Sequence, residues 1–366
     1  MFAYKLLSVA LAFLWSAQIV FCSYEKCTCT KPAIRREWRA FTTEEKAEWI
    51  RAINCLSQQP HDPALTPSVD PSVSLIPPIN TSSSYFDDIV YVHMDLNTRI
   101  HFTGQFFPWH RWFVHVFEES LKNKCGYTGV SPYWNWTIDA PDFYESSFWK
   151  DSDPVSGLGG WGDPNADFAV PDGGFHKLPL SYPSPHTVRR NFTLLSFDQP
   201  SLAALFPDPL KLGNTSFTAS VVKAVLETSA GDYQGLQVAI EVPEGPHSGV
   251  HTTVGADLFG SCPKSAPANC TPGFTWSPND PLFFMHHAMI DKIWYDWQSY
   301  DPVNVNSFFG GSVQHIESWD AYNQYPSGGP PYLSLDSMMP ADGLFPEVTI
   351  GDVMNTTGGF LCYVYE

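Results

Sequence analysis

The chain has 366 residues, 43% hydrophobic and 15% aromatic, with a formal net charge of −18 at pH 7. That length suits one large domain or two ordinary ones. With 20 Lys and Arg against 38 Asp and Glu, no basic stripe exists to neutralise phosphates, which argues against a nucleic-acid partner and against an anionic membrane surface.

Residues 1–22 read as a signal peptide: Lys5 supplies a short positive region, Leu6 to Phe21 an apolar run, and Val20-Phe21-Cys22 a cleavage site. The run is short for a bilayer span, and no later segment is apolar enough to cross one. The expectation is a secreted protein without a membrane partner. The cysteines left after cleavage, 27, 29, 55, 125, 262, 270 and 362, suit an oxidising compartment and disulfide bonds. Their number is odd. Cys262 and Cys270 could close a small loop, and Cys27 and Cys29 could tie down the N-terminal arm. Sequons at Asn80, Asn135, Asn191, Asn214, Asn269 and Asn355 fit a glycoprotein. Asn135 lies in PYWNWT, which reads as core, and is not expected to carry sugar.

Residues 34–58 predict a helix, with Thr42 or Thr43 able to cap it, Glu44 and Glu45 in its first turn, and Trp49, Ile53 and Leu56 at helical spacing. Residues 60–80 are Pro/Ser-rich loop. A second helix is predicted over 83–97, with Phe86, Val90 and His93 on one face, and a third from near Pro108 to about Asn123. Residues 140–215 read as long ordered loops. Helices are predicted at 216–230, 247–254 and 280–298, and short strands at 347–354 and 360–365. The fold class is therefore mainly α: an antiparallel core of about four helices, wrapped in long loops with a few short strands.

Eight of the 12 histidines fall in two groups: His93, His101, His110 and His115, then His247, His251, His286 and His287. His61, His176, His186 and His315 sit in polar or Pro-rich loops and read as surface. His247 and His251, at i and i+4, share a helix face, but HxxxH alone also arises for packing. The pair lacks the intervening Glu of a zinc-peptidase HExxH. His286 and His287 point about 100° apart on a helix, so at most one easily joins His247 and His251. Asp291, four residues after His287, can orient a ligand or nearby backbone. Gly104 and Pro108 interrupt the helix between His101 and His110, so the two can turn towards each other. His115 is well round the helix and reads as structural or exposed. Each half can thus supply three imidazoles. Imidazole suits copper, zinc, iron and nickel. Only one ExxH is present, Glu244 to His247, which disfavours a carboxylate-bridged di-iron site. A single zinc site would leave the second set unexplained. Two facing three-histidine sites favour a copper pair that binds O2.

FPWHRWFVHVFE, PHSGVH and NDPLFFMHHAMIDKIWYDW resemble the copper motifs of the type-3 copper proteins, the family of tyrosinases, catechol oxidases and molluscan haemocyanins. IRREWRAF near the start and Tyr363-Val364-Tyr365 at the end resemble the limits of the family's central domain. The resemblance spans nearly all of residues 23–366 and implies a single tyrosinase-like copper-binding domain, closest in type to short secreted fungal enzymes without a C-terminal shielding domain. It implies two copper ions, one held by His93, His101 and His110, the other by His247, His251 and His287, with O2 as co-substrate. The implied function is a copper-dependent polyphenol oxidase that converts small o-diphenols to o-quinones. In relatives a Cys–His thioether often sits near the second ligand; no Cys lies between Cys55 and Cys125, so none is expected here.

Three further positions bear on which phenols react. In relatives a Glu before the first ligand of the second site and an Asn after it are thought to hold a base-like water. Glu244 matches the Glu, but Ser248 replaces the Asn and orients water less well than an amide. Phe274, thirteen residues before His287, matches a Phe that covers the first copper in plant catechol oxidases. The expected catalytic set is Glu244, Ser248 and Phe274, and the expected activity is catechol oxidation with weak or no monophenol hydroxylation. A true tyrosinase, an o-aminophenol oxidase, an O2 carrier and a zinc-loaded relative are the alternatives.

Overall fold

A computed structural model describes residues 29–69, 76–198 and 205–366; the expected signal peptide and Cys27 lie outside them. In chain order the helices are α1 (Thr43–Leu56), α2 (Tyr85–Ile100), α3 (Phe106–Cys125), α4 (Ala219–Leu226), α5 (Tyr233–Glu241), α6 (Pro246–Val254), α7 (Ala256–Phe259), α8 (Leu282–Tyr300) and α9 (Trp319–Gln324). The strands are β1 (Ala33–Arg35), β2 (Pro179–Leu180), β3 (His186–Thr187), β4 (Gly311–Val313), β5 (Gly329–Tyr332) and β6 (Tyr363–Tyr365). They form three two-stranded pairs, β1 with β6, β2 with β3 and β4 with β5. The mainly helical expectation holds. Helices α2, α3, α6 and α8 carry or flank the two histidine groups, and α3 packs along α8. The wide apolar surface these helices share is filled by aromatic side chains, among them the fully buried Trp109, Trp112, Trp134, Trp136, Trp294 and Trp297.

The first helix begins later than predicted. The Thr42 hydroxyl accepts the Glu45 N–H, and the Glu45 carboxylate accepts the Thr42 N–H, a reciprocal cap that fixes the start of α1. Upstream, residues 33–35 are instead a strand, because their backbone groups pair in parallel with residues 363–365. No local pattern can announce a partner that far along the chain. Capping also sets α2, where Ser84 and Asp87 form the same reciprocal pair. Helix α3 ends at Gly126, whose φ of 64° is the left-handed cap conformation that glycine adopts freely.

Residues 140–198 and 205–215 are, as expected, loops with short 3-10 turns and only β2 and β3 as strands. The predicted helix at 216–230 is the shorter α4. Helix α5, which follows it, has no counterpart in the prediction; Gly235 and two β-branched residues dilute its helical signal. The predicted strand at 347–354 is instead a 3-10 turn at 351–353, while the one at 360–365 appears as β6. Disulfides join Cys29 to Cys362, Cys55 to Cys125 and Cys262 to Cys270. The last is the predicted small loop. Cys29 ties down the N-terminal arm, as expected, by its bond to Cys362. Among the described residues no helix is long and apolar enough to cross a membrane.

Candidate metal centre

Helix α2 carries His93 and ends at Ile100, placing His101 one residue beyond it. The next residue, Phe102, has φ 53°, a left-handed conformation that costs a non-glycine residue about 1–3 kcal/mol. This turn swings His101 back over His110 in the second turn of α3. The ligand atoms of His93, His101 and His110 lie within 4.8 Å of one another. Each of the three Nδ1 atoms faces a carbonyl: Thr275 O at 2.8 Å from His93, Asn97 O at 3.1 Å from His101 and Phe106 O at 2.8 Å from His110. A ring that donates from Nδ1 presents the lone pair of Nε2.

The second group comprises His247 and His251 on α6 and both His286 and His287 on α8, again within 4.8 Å. The expectation that only one of the adjacent pair would join is corrected: the rings straddle His247. His286 stacks on His247 at 5.5 Å, whereas His287 turns towards the first group and stacks on His110 at 4.2 Å. Only His251 has a pinned Nδ1, against Leu258 O of α7 at 2.6 Å.

Buried Nε2 atoms of His93, His110, His247, His251 and His287 have no hydrogen-bond partner among the described residues. Burial, reinforced for most of these rings by neighbouring imidazoles, depresses their proton affinity, with His101 brought down to about 4 and His251 to about 3. Neutral imidazoles with orphaned lone pairs, clustered in two adjoining sets, fit a pair of metal ions. His115 is in neither set. It is half-buried against Phe360.

Two aromatic rings wedge the sets. Phe106 contacts His110 and His247 at 5.2 and 4.9 Å, and Phe283 contacts His93 and His287 at 5.0 and 4.2 Å. Sequence reasoning passed over both, although a signal exists: each lies four residues before a histidine of its own helix, hence on the same face. Asp291 does not touch His287. Its carboxylate accepts from Arg111 Nε and from the hydroxyls of Tyr363 and Tyr365, with Arg35 Nη1 at 3.3 Å. It knots α8 to α3, β1 and β6. Two histidines read as surface also have partners: His61 meets Asp88 at 2.7 Å and His186 meets Asp257 at 3.1 Å.

A cavity opens onto His101 and His247, walled by Leu205, Phe206, Phe274 and Ile316. Ser248, 1% exposed, and Phe274 both line it, as anticipated. The Phe274 ring packs on His251 of the second set, at 5.4 Å, rather than on a ring of the first. Glu244 stands outside the cavity lining, and its Oε1 accepts the Asp208 N–H at 2.7 Å. The carboxyl group that reaches the His101 turn is Glu241, which the sequence reading missed. It is buried at the end of α5 and accepts the Phe102 N–H at 2.6 Å and Gln237 Nε2 at 2.9 Å. Burial pushes its proton affinity well above the usual carboxylate range.

Paired histidine sets on a helical core fit the dinuclear centre of a type-3 copper protein. The chain belongs to the tyrosinase family: residues 83–300 match the common central domain of tyrosinase. It is 30% identical to the tyrosinase-like protein phomQ1' of Diaporthe leptostromiformis, over 92% of this chain and 81% of that protein. Identity to tyrosinase ustQ of Aspergillus flavus is 29%, over 92% and 80%. Identity to N-acetyl-6-hydroxytryptophan oxidase ivoB of Emericella nidulans is 28%, over 99% and 100%. Among solved structures, a polyphenol oxidase variant from Thermothelomyces thermophila superposes with a TM-score of 0.67 at 26% identity, over 93% of this chain and 90% of that one. The protein is a copper-dependent oxidoreductase that acts on phenolic substrates with O2.

Proposed function

We propose that this enzyme is an o-diphenol oxidase with little or no monophenol hydroxylation, exported from the cell. The observation that carries the reading is the cavity lining. Among the described residues it contains no carboxylate, and the position after His247 is Ser248. Glu244 is engaged by Asp208 and Glu241 by Phe102 and Gln237. Apart from the imidazoles of His101 and His247, assigned here to the metals, the described lining holds no basic group to take the proton of a monophenol, whereas a catechol is the more acidic substrate and offers two hydroxyls.

In this reading His93, His101 and His110 hold one copper and His247, His251 and His287 the other. When bound, the copper pair would supply the oxidation of two diphenols to two o-quinones, two electrons and two protons from each, coupled to the four-electron reduction of one O2 to two waters. The protein holds the imidazoles neutral and oriented and keeps the centre apolar through Phe106 and Phe283. Phe274 and Phe206 offer aromatic faces to a planar substrate. His287 rather than His286 is assigned as the third ligand because its ring stacks on His110 of the first set, whereas His286, a member of the same group, stacks on His247. Three disulfides accord with an oxidising compartment, and the sequon residues Asn80, Asn269 and Asn355 are exposed.

Oxygen uptake by copper-loaded protein, with 4-tert-butylcatechol and tyramine in parallel, tests the assignment. Fast uptake on the catechol with a long lag or none on tyramine is expected. Comparable rates on both would make it a tyrosinase.

A further inference from the structure

Residues 205–212 contain neither helix nor strand, yet Leu205 and Phe206 are only 6% and 4% exposed and form one wall of the cavity. Something other than backbone pairing must hold that wall. Phe206 packs on Phe197 with centroids 5.2 Å apart. A second attachment among the described residues is Glu244. Its Oε1 accepts the Asp208 N–H at 2.7 Å, its backbone carbonyl accepts Lys211 Nζ at 2.8 Å, and Lys211 Nζ stands 3.9 Å from its Oε2. Glu244 lies in the turn between α5 and α6, three residues before His247. The wall is therefore fastened to the segment that carries the second histidine set.

We propose that residues 205–212 are a specificity strap, that Phe206 is its size-determining side chain, and that Glu244 is the latch that positions it. Glu244 on this view is a positioning residue and not a base. The inference rests on the phenol-oxidase reading of the cavity. It also names a substrate class. The cavity is lined by apolar side chains and by the neutral polar groups of Asn97, Ser248 and Gln314, with no Asp, Glu, Lys or Arg among its described lining residues. A charged amino-acid side arm would be desolvated against Leu205, Phe206 and Ile316 without a partner, so the favoured substrates are phenols whose ring substituents are uncharged.

The test compares Phe206→Ala, Glu244→Ala and Glu244→Gln with the parent on catechol, 4-tert-butylcatechol and DOPA, and separately measures tryptic cleavage after Lys211 in copper-free protein. Phe206→Ala and Glu244→Ala should each raise the kcat/KM ratio of 4-tert-butylcatechol to catechol by about tenfold, through KM, as expected of altered ground-state binding. DOPA should remain the poorest of the three for the parent. Glu244→Ala should also speed cleavage after Lys211, because the Asp208 anchor is gone. Glu244→Gln keeps an acceptor for the Asp208 N–H and should resemble the parent in both assays. The proposal is overturned if Phe206→Ala leaves the ratio unchanged, or if Glu244→Ala alters neither ratio nor cleavage. It is equally overturned if Glu244→Gln and Glu244→Ala lose kcat alike on all substrates, the signature of a base. Should the parent turn over no phenol, the proteolysis still decides whether Glu244 latches the strap, while the oxidase reading fails on its own.

Discussion

His110 and His287 stack across the two histidine sets, with centroids 4.2 Å apart and planes 12° apart. Their surroundings differ. The Nδ1 of His110 is held by Phe106 O, whereas neither ring nitrogen of His287 has a partner among the described residues. All three rings of the first set are pinned in this way and only His251 is in the second. Partners of this kind are worth about 10–100-fold in metal affinity. Stepwise titration of the copper-free protein should therefore fill two unequal sites, the first set before the second. His287→Ala should lower bound copper to about one ion per chain, as expected when one liganding imidazole is lost, while His115→Ala should leave it unchanged. Equal stoichiometry in the two variants would refute the ligand assignment.

Glu118 predicts a pH dependence of stability. Burial alone would raise its carboxyl, but the charges of Arg35 and Lys122 overcome that and hold it at about 2, against an ordinary value of 4.5. A depressed carboxylate stabilises the fold above the unfolded value and loses that contribution as pH falls from 4.5 towards 2. The shift corresponds to about 3 kcal/mol. Urea unfolding of Glu118→Gln should show a deficit of that order at pH 7, narrowing on acidification below pH 4.5. A gap independent of pH would contradict the linkage.

The histidine sets were legible because they depend on short spacing. The i, i+4 relation of His247 and His251 is a property of any helix, and Gly104 with Pro108 marks the break that frees His101. Cys262 and Cys270 are likewise close in sequence. What was not legible depends on long-range partners. Arg35 sits in a strand only because residues 363–365 lie beside it. Glu244 was the nearer carboxylate to His247 by count, but the direction of a side chain in a turn is set by its contacts, here Asp208 and Lys211. Glu241 was hidden because its helix, α5, has a weak pattern of its own.

The Asp291 knot should be a large single contributor to stability. One buried carboxylate serves two guanidiniums and two tyrosine hydroxyls. Removing it leaves Arg35 and Arg111 buried without that counter-charge, a change that costs about 3–5 kcal/mol. Asp291→Ala should therefore lower the unfolding free energy by that order, measured by denaturant titration at neutral pH. Because the loss acts through β1, β6 and α3 rather than through a histidine, whatever folded protein remains should still bind two copper ions. Loss of copper in proportion beyond the unfolded fraction would place Asp291 in the metal site after all.

The proposed substrate balance can be tested at Ser248 and Phe274, neither of which is an assigned metal ligand. Ser248 is enclosed at the cavity wall beside His247, and its hydroxyl has one donor where an amide has two donors and a fixed carbonyl. Ser248→Asn should let the wall hold a water towards an incoming phenol and raise tyramine turnover relative to 4-tert-butylcatechol by about tenfold, equivalent to 1.4 kcal/mol in the barrier. Phe274→Ala acts differently. It removes a ring that packs on His251 and Phe259, so it widens access without adding a polar group. It should lower KM for bulky catechols and leave the lag on tyramine as long as in the parent. If Phe274→Ala alone confers fast monophenol turnover, access rather than proton acceptance limits hydroxylation, and the missing carboxylate in the lining is not what restrains this enzyme.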